Sequence, residues 1–315
     1  MRNFININDI DNYQDLVTEA ISLKDNLNKN KLFGKHKTLG LIFFNPSLRT
    51  RMSTQKAAYM LGMNVICMNF NNEGWKLEYD NNIIMNSNKA EHVKDAAKVI
   101  SQYCDIIGVR SFAGLDDKKN DEKEIIINSF KKHGNIPVLN LESSCYHPLQ
   151  SLADAITIKE NINLIKPKIV LSWAPHVKPL PHAVANSFIN MSKKLDYEIT
   201  IANPIGYNLN SSITKGIKII NNQEEAFKNA DLIYAKNWSS YDSYGKLLKT
   251  DKSWIIDDKK MKTTNSAKFM HCLPVRRNIV VTDSVIDSEN SLVIKQSYNR
   301  LFSAQVILKK LLNEK

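Results

Sequence analysis

Six short segments of this chain carry side chains suited to chemistry on small anions. The first is Phe43-Phe44-Asn45-Pro46-Ser47-Leu48-Arg49-Thr50-Arg51, in which an apolar run meets a proline, a serine and then two guanidinium groups. Pro46 and Ser47 predict a helix N-terminus, whose free backbone N–H groups and dipole attract an anion, with Ser47, Arg49 and Thr50 adding donors. The glycines of a P-loop are absent, so a nucleoside triphosphate is not implied. Arg110 closes the apolar run that begins near Asp105. Glu142-Ser143-Ser144-Cys145-Tyr146-His147-Pro148-Leu149-Gln150 places an imidazole and an amide on the first turn of a helix, where both can polarise one carbonyl without supplying a nucleophile. Ser172 to Pro179 carries His176 and Lys178 between prolines, Ala235-Lys236-Asn237-Trp238 offers a cation, and Met270-His271-Cys272-Leu273-Pro274-Val275-Arg276-Arg277 offers a thiol and two guanidiniums. Taken singly, each has a structural reading: a serine cap, a core histidine, a buried tryptophan, a small apolar cysteine, surface arginines.

All six follow segments that read as buried strands. Helical spacing and short β-rich runs alternate along the chain. Strands are predicted at Thr38 to Phe44, Asn64 to Met68, Asp105 to Arg110, Ile136 to Leu141, Lys168 to Trp173, Glu198 to Ala202, Asp231 to Ala235 and Lys268 to His271. Helices are predicted near Ile10 to Ile21 and at Met52 to Leu61, Glu91 to Tyr103, Glu122 to Lys132, Pro148 to Ile162, His182 to Lys193, Glu224 to Asn229 and Ser297 to Leu312. Strands apolar on both faces, separated by helices, imply parallel sheets covered on each side. In such sheets ligands bind beyond the carboxyl ends of the strands, where the six segments lie.

The chain has 315 residues, 43% of them hydrophobic, and a net charge of +11. At roughly 100 to 200 residues per domain, two domains are expected. The apolar runs are strand-sized, far below the roughly 20 residues of a membrane span. The first residues lack the pattern of a secretory signal, and Cys67, Cys104, Cys145 and Cys272 form no C-x-x-C pair, so a soluble protein of the reducing cytoplasm is expected. The positive surplus alone does not choose among nucleic acid, anionic small molecules and a solvated lysine-rich surface; no nucleic-acid-binding module or aromatic-basic stripe accompanies it.

Ser47-Leu48-Arg49-Thr50-Arg51 resembles the S-x-R-T-R signature of the transcarbamylases, His147-Pro148-Leu149-Gln150 their H-P-x-Q, and His271-Cys272-Leu273-Pro274 the H-C-L-P of their ornithine-type branch. The resemblance spans essentially the whole chain. It implies an α/β protein of two doubly wound domains, each a central parallel sheet flanked by helices. A carbamoyl phosphate domain would cover residues 1–145, a second domain for the acylated amino acid 146–296, and the C-terminal helix, about 297–315, would pack back on the first. It also implies a homotrimer with shared active sites and no metal or organic cofactor.

The same resemblance implies site residues. Ser47, Leu48, Arg49, Thr50, Trp75, Arg110, His147, Pro148, Leu149, Gln150, Cys272, Leu273 and Arg300 would bind carbamoyl phosphate, with Arg49, Thr50, His147 and Cys272 at the reacting atoms. Ala90, Glu142, His176, Lys236, Cys272, Leu273 and Arg276 would bind the acceptor. Users of free ornithine carry D-x-W-x-S-M-G where this chain has Ala235-Lys236-Asn237-Trp238-Ser239-Ser240-Tyr241. With the acidic residue gone and Lys236 present, the segment is similar to that of the N-acylornithine branch. Acetyl-using relatives carry a glutamate in the place of Ala90, which would repel a succinyl carboxylate. N-succinylornithine is therefore the expected acceptor and N-acetylornithine the rival.

Overall fold

The computed structural model describes residues 1–27, 29–248 and 252–313. They form two compact units, one of 1–114, 119–149 and the chain from Arg300 onward, the other of 115–118 and 150–299. Residues 314 and 315 of the expected final helix lie outside the described residues.

The first unit holds β1 (Thr38–Phe43), β2 (Asn64–Asn69), β3 (Leu77–Glu78), β4 (Glu91–His92), β5 (Ile106–Arg110) and β6 (Val138–Glu142). Its main sheet has the order β2-β1-β5-β6, with every pairing parallel. The chain adds β2 on one side of β1 and β5 on the other, so the carboxyl ends of β1 and β5 flank the point where the winding reverses. β1, β5 and β6 are buried almost throughout, the signature of a sheet covered on both faces. Ile42, Val93, Ala97, Ile107, Val109, Ile127, Phe130 and Val138 pack in one apolar cluster that joins the sheet to its helices. β3 and β4 form a separate parallel pair.

The second unit holds β7 (Lys168–Trp173), β8 (Glu198–Ala202), β9 (Lys218–Ile220), β10 (Leu232–Lys236) and β11 (Lys268–Met270). Their order is β11-β10-β7-β8-β9, again all parallel. Here the winding reverses between β7 and β10, whose ends lead into His176 and Lys236. Gly245 lies at φ +70 with Leu115 O against the place a Cβ would occupy, 1.9 Å away. Only glycine permits that approach of the 115–118 segment to the second unit.

Besides short elements that the sequence pattern does not register, such as β3 and β9, three helices differ from the sequence expectation. The helix expected from Glu91 starts at Val93, because Glu91 and His92 pair with Leu77 and Glu78 and the His92 Nδ1 caps the helix by accepting the Lys94 N–H at 3.1 Å. The helix expected over Glu122 to Lys132 is two, Lys118–Glu122 and Ile125–His133, broken where Glu124 enters the left-handed region at φ 47. The Glu124 carboxylate accepts from the Ser143 hydroxyl and from the Cys145 N–H at 2.9 Å, which holds the break in place. The last helix is longer than expected, Val293–Asn313. No described helix is long and apolar enough to cross a membrane.

Candidate active site

At the end of β1 the chain turns through Pro46 and Ser47 into the helix Arg49–Met60. Ser47 was expected to cap this helix; Leu48 stands at the cap position, and Ser47 acts from one residue earlier by accepting the Thr50 N–H at 3.2 Å. Thr50 is 1% exposed, and its hydroxyl accepts from the Nη1 of Arg110 at 3.2 Å and from the Nη2 of Arg300. Arg110 is the last residue of β5, and Arg300 comes from the long final helix, so two further elements deliver cations to the N-terminus of the helix that carries Arg49. Arg49 is close enough to Arg110 to disfavour its charge; burial lowers the Arg110 pKa most, and Glu142 opposes both.

Glu142, last residue of β6, supplies that opposing charge: its Oε2 lies 3.2 Å from the Nη2 of Arg110 and 3.5 Å from the Nε2 of His147. In this structure Glu142, expected on the acceptor side, therefore sits with Arg110 and His147. A buried cluster of guanidinium groups, an imidazole and a carboxylate at a helix N-terminus is built for a polyanion, whose arrival would balance the excess of positive charge. Leu48 is 65% exposed whereas Leu149 is 2% exposed, with its carbonyl accepting from the Ser303 hydroxyl at 2.9 Å. The Leu149 side chain belongs to the core, which leaves only its backbone for a ligand. Pro148 opens the helix Pro148–Asn161 directly after His147.

Trp75 and Ala90 lie elsewhere in this unit, at the edges of the β3–β4 pair. Trp75 is 56% exposed, with its indole N–H on the Glu91 carboxylate at 2.8 Å. Ala90 is exposed, tied down by its own N–H on the Lys76 carbonyl at 3.1 Å and by the neighbouring Lys89–Glu78 pair at 2.9 Å.

In the second unit Lys236 ends β10, is 8% exposed and makes no ion pair among the described residues. A buried ammonium without a counter-charge is costly and is a hallmark of a ligand carboxylate site. Around it the backbone is pinned: the Asn237 amide donates to the Ala174 carbonyl at 2.7 Å, and the Trp173 indole to the Trp238 carbonyl at 2.9 Å. His176 is half-buried, and its Nε2 accepts from the Nε of Arg276 at 3.3 Å. The His176 Nδ1 lies 2.9 Å from the Lys178 carbonyl oxygen and 3.1 Å from the Lys178 amide nitrogen. Burial lowers the His176 pKa below its ordinary value; the hydrogen bond to the Lys178 carbonyl opposes it, and the charges of Lys236, Arg276 and Lys178 push the same way as burial. The result is a neutral imidazole in a positive neighbourhood, ready for a second carboxylate.

Cys272 and Leu273 follow β11 on a loop shaped by the Leu273 N–H on the His271 Nδ1 at 2.9 Å and by the His271 N–H on Gln296 Oε1 at 3.1 Å. The Cys272 thiol meets the fully buried Tyr234 hydroxyl, whose ionisation is held well above its ordinary range, first by burial and then by Asp154. Gln150 is 1% exposed, and its Nε2 donates to Asp154 Oδ1 at 2.8 Å. None of the six segments contains Asp154, Tyr234 or Gln296. The spacing of Gln150 and Asp154, one helical turn apart on a buried helix, is the signal that points to the pair.

Two doubly wound parallel sheets, with cationic side chains after the strands that flank each reversal, define a two-unit α/β protein. The chain belongs to the aspartate/ornithine carbamoyltransferase family: residues 2–160 match its carbamoyl-P binding domain and 181–311 its Asp/Orn binding domain. It is 48% identical over 314 residues to an N-succinylornithine carbamoyltransferase of Bacteroides fragilis strain 638R, covering 99% of both chains. It is 34% identical over 314 residues to an N-acetylornithine carbamoyltransferase of Xylella fastidiosa strain Temecula1, covering 93% of each. Among solved structures, it matches an N-acetyl-L-ornithine transcarbamylase in which a glutamate is replaced by alanine, complexed with carbamyl phosphate and N-succinyl-L-norvaline. That match has a TM-score of 0.94 and 32% identity, over 99% of this chain and all of that one.

Proposed function

We propose that this carbamoyltransferase moves the carbamoyl group of carbamoyl phosphate to the δ-amino group of N-succinyl-L-ornithine, yielding N-succinyl-L-citrulline and phosphate in arginine biosynthesis. The observation that carries the donor half is the convergence of Arg110 and Arg300 on the Thr50 hydroxyl at a helix N-terminus. Ser47, the Leu48 backbone, Arg49, Thr50, Arg110 and Arg300 hold the phosphate. Arg49, Thr50 and His147 polarise the carbonyl oxygen, and Gln150 with the backbone at Cys272 and Leu273 takes the carbamoyl NH2. The substrate amine attacks the carbonyl carbon, the oxygen gains negative charge, the C–O bond to phosphate breaks, and the proton lost from the amine passes to the departing phosphate. Stabilising that oxygen and aligning two reactants is the whole of the protein's task, since the nucleophile belongs to the substrate.

Lys236 binds the α-carboxylate, and His176 and Arg276 take the distal carboxylate of the succinyl group. Glu142 orients Arg110 and His147 before the substrates arrive and assists the acceptor amine afterwards. Ala90 and Trp75 act on a segment that reaches a neighbouring subunit of a cytoplasmic homotrimer, where the small side chain leaves room for the succinyl group. The identity to N-succinylornithine enzymes, higher than that to N-acetylornithine enzymes, supports the succinyl choice. So does the transcarbamylase that carries N-succinyl-L-norvaline when its glutamate is replaced. An assay of ureido-group formation tests it: N-succinylornithine should be carbamoylated with a higher kcat/KM than N-acetylornithine. Equal or lower use of the succinyl substrate overturns the acyl choice.

A further inference from the structure

Of the two adjacent guanidinium groups that follow Cys272, the proposed reaction uses one. Arg276 is exposed, with its Nε on the Nε2 of His176 at 3.3 Å. Arg277 is engaged elsewhere. Its Nη1 and Nη2 fork onto the two oxygens of Asp287 at 2.6 and 2.7 Å, and its Nη1 also donates to Asp283 Oδ1 at 2.8 Å. The other oxygen of Asp283 accepts from Asn278 Nδ2 at 2.7 Å, and the Asp283 N–H returns to Asn278 Oδ1 at 3.1 Å. The hydrogen bonds from Arg277 hold both carboxyl groups below the ordinary carboxylate range.

These contacts close the turn that Arg276 begins. The Arg276 carbonyl accepts the N–H groups of Ile279 at 3.2 Å and Val280 at 2.9 Å. The Asn278 N–H meets the Val281 carbonyl at 2.7 Å, with Asn278 in the left-handed region at φ 59. The far side of the turn is fixed in the second unit: Val280 and Val281 are buried, the Val280 carbonyl accepts the Ile256 N–H at 3.0 Å, and the Thr282 N–H meets the Ile256 carbonyl at 2.9 Å. A single exposed ion pair contributes little. A forked guanidinium joined to two carboxylates sets geometry as well, because the fork fits a carboxylate in one orientation.

We propose that Arg277, clamped by Asp283 and Asp287, is a positioning residue that sets acyl selectivity by holding the turn that presents Arg276 beside His176. This rests on the assignment of the distal succinyl carboxylate to that pair. Arg277 itself touches no substrate, so removing either half of the clamp loosens Arg276 and weakens the grip on a second carboxylate. Simple electrostatics predicts the reverse for Asp287: loss of an acidic group near a cationic site favours an anionic ligand.

Steady-state kinetics of the full chain with carbamoyl phosphate and either N-succinylornithine or N-acetylornithine test this through the ratio of the two kcat/KM values. Asp287→Asn and Arg277→Met should each lower the succinyl-to-acetyl ratio about tenfold, chiefly by raising the KM for N-succinylornithine and with little change in the KM for carbamoyl phosphate. Arg277→Lys, which keeps the charge and loses the fork, should fall between these and the wild-type chain. A ratio that rises in Asp287→Asn means that Arg277, once released, binds the substrate itself. A ratio unchanged in Asp287→Asn or Arg277→Met, whatever happens to the urea midpoint, means that the clamp is merely structural. Either result overturns the proposal. If the wild-type chain does not prefer N-succinylornithine, the assignment of the distal carboxylate falls and the proposal with it, whereas a wild-type preference that survives both substitutions removes the clamp alone.

Discussion

Replacing Arg110 by methionine keeps most of the aliphatic volume and removes a guanidinium group whose Nη2 lies 3.2 Å from the Glu142 carboxylate, with the side chains only 9% and 12% exposed. Breaking a buried pair from one side leaves an uncompensated charge and costs about 3 to 5 kcal/mol. His147 stays 3.5 Å from the same carboxylate oxygen and takes up part of the loss, so the lower end, about 3 kcal/mol, is expected. Adding Glu142→Gln to Arg110→Met removes the stranded charge. The double variant should therefore be more stable than the sum of the single changes by about 2 kcal/mol. Urea unfolding of the wild-type chain, both single variants and the double variant measures that coupling. Coupling below about 0.5 kcal/mol, the scatter of independent sites, would refute the idea that Glu142 holds Arg110 in place. If Arg110 holds the phosphate as proposed, the same Arg110→Met variant also loses one charge-assisted contact and should raise the KM for carbamoyl phosphate about 10- to 100-fold.

Lys236→Met removes a buried cation that has no partner in an ion pair among the described residues. It should raise the KM for the acylated acceptor at least about tenfold while leaving urea stability equal or higher; a fall in stability with KM unchanged would mean that the ammonium is structural. Ala90→Glu should raise the KM for N-succinylornithine far more than that for carbamoyl phosphate, and unchanged succinyl kinetics would remove Ala90 from the specificity argument. Burial and three nearby cations lower the His176 pKa, so the unfolded chain binds the extra proton first. That contribution to stability is complete above about pH 6.5 and is lost as the pH falls below it. His176→Gln should flatten this part of the pH–stability curve. NMR titration should find the imidazole below its ordinary pKa in the free protein and higher once N-succinylornithine is bound; a pKa that does not rise would remove the distal carboxylate from His176.

Much of the fold was legible because the strands of parallel sheets are apolar on both faces: Thr38 to Phe43 and Lys168 to Trp173 stand out as runs that no surface element would carry. Motifs at their ends then marked Ser47, Arg110, His176 and Lys236, since strand ends are where such sheets expose backbone and ligands bind. Local patterning failed where distant partners decide the backbone. Glu124 reads as the middle of a helix, yet its carboxylate is engaged by Ser143 and Cys145. Glu91 and His92 read as a helix start, yet they pair with Leu77 and Glu78. β9 has three residues, too few for a period to register. In the candidate site the motif residues carry recognisable types, whereas Asp154 and Gln296, 142 positions apart, meet through one hydrogen bond, a separation that spacing arguments do not reach. Glu142 was legible as a candidate site residue, but its partnership with Arg110 across β5 and β6 required the sheet order.

Carbamoyl transfer and acceptor choice meet in one assay. The chain is supplied with carbamoyl phosphate and, in separate reactions, with aspartate, ornithine, N-acetylornithine or N-succinylornithine, and formation of the ureido product is followed. The buried Lys236, the neutral His176 beside Arg276, and Ala90 predict the highest kcat/KM with N-succinylornithine and a large deficit with free ornithine. Faster product formation from free ornithine than from either acylated form would contradict this assignment of the acceptor site.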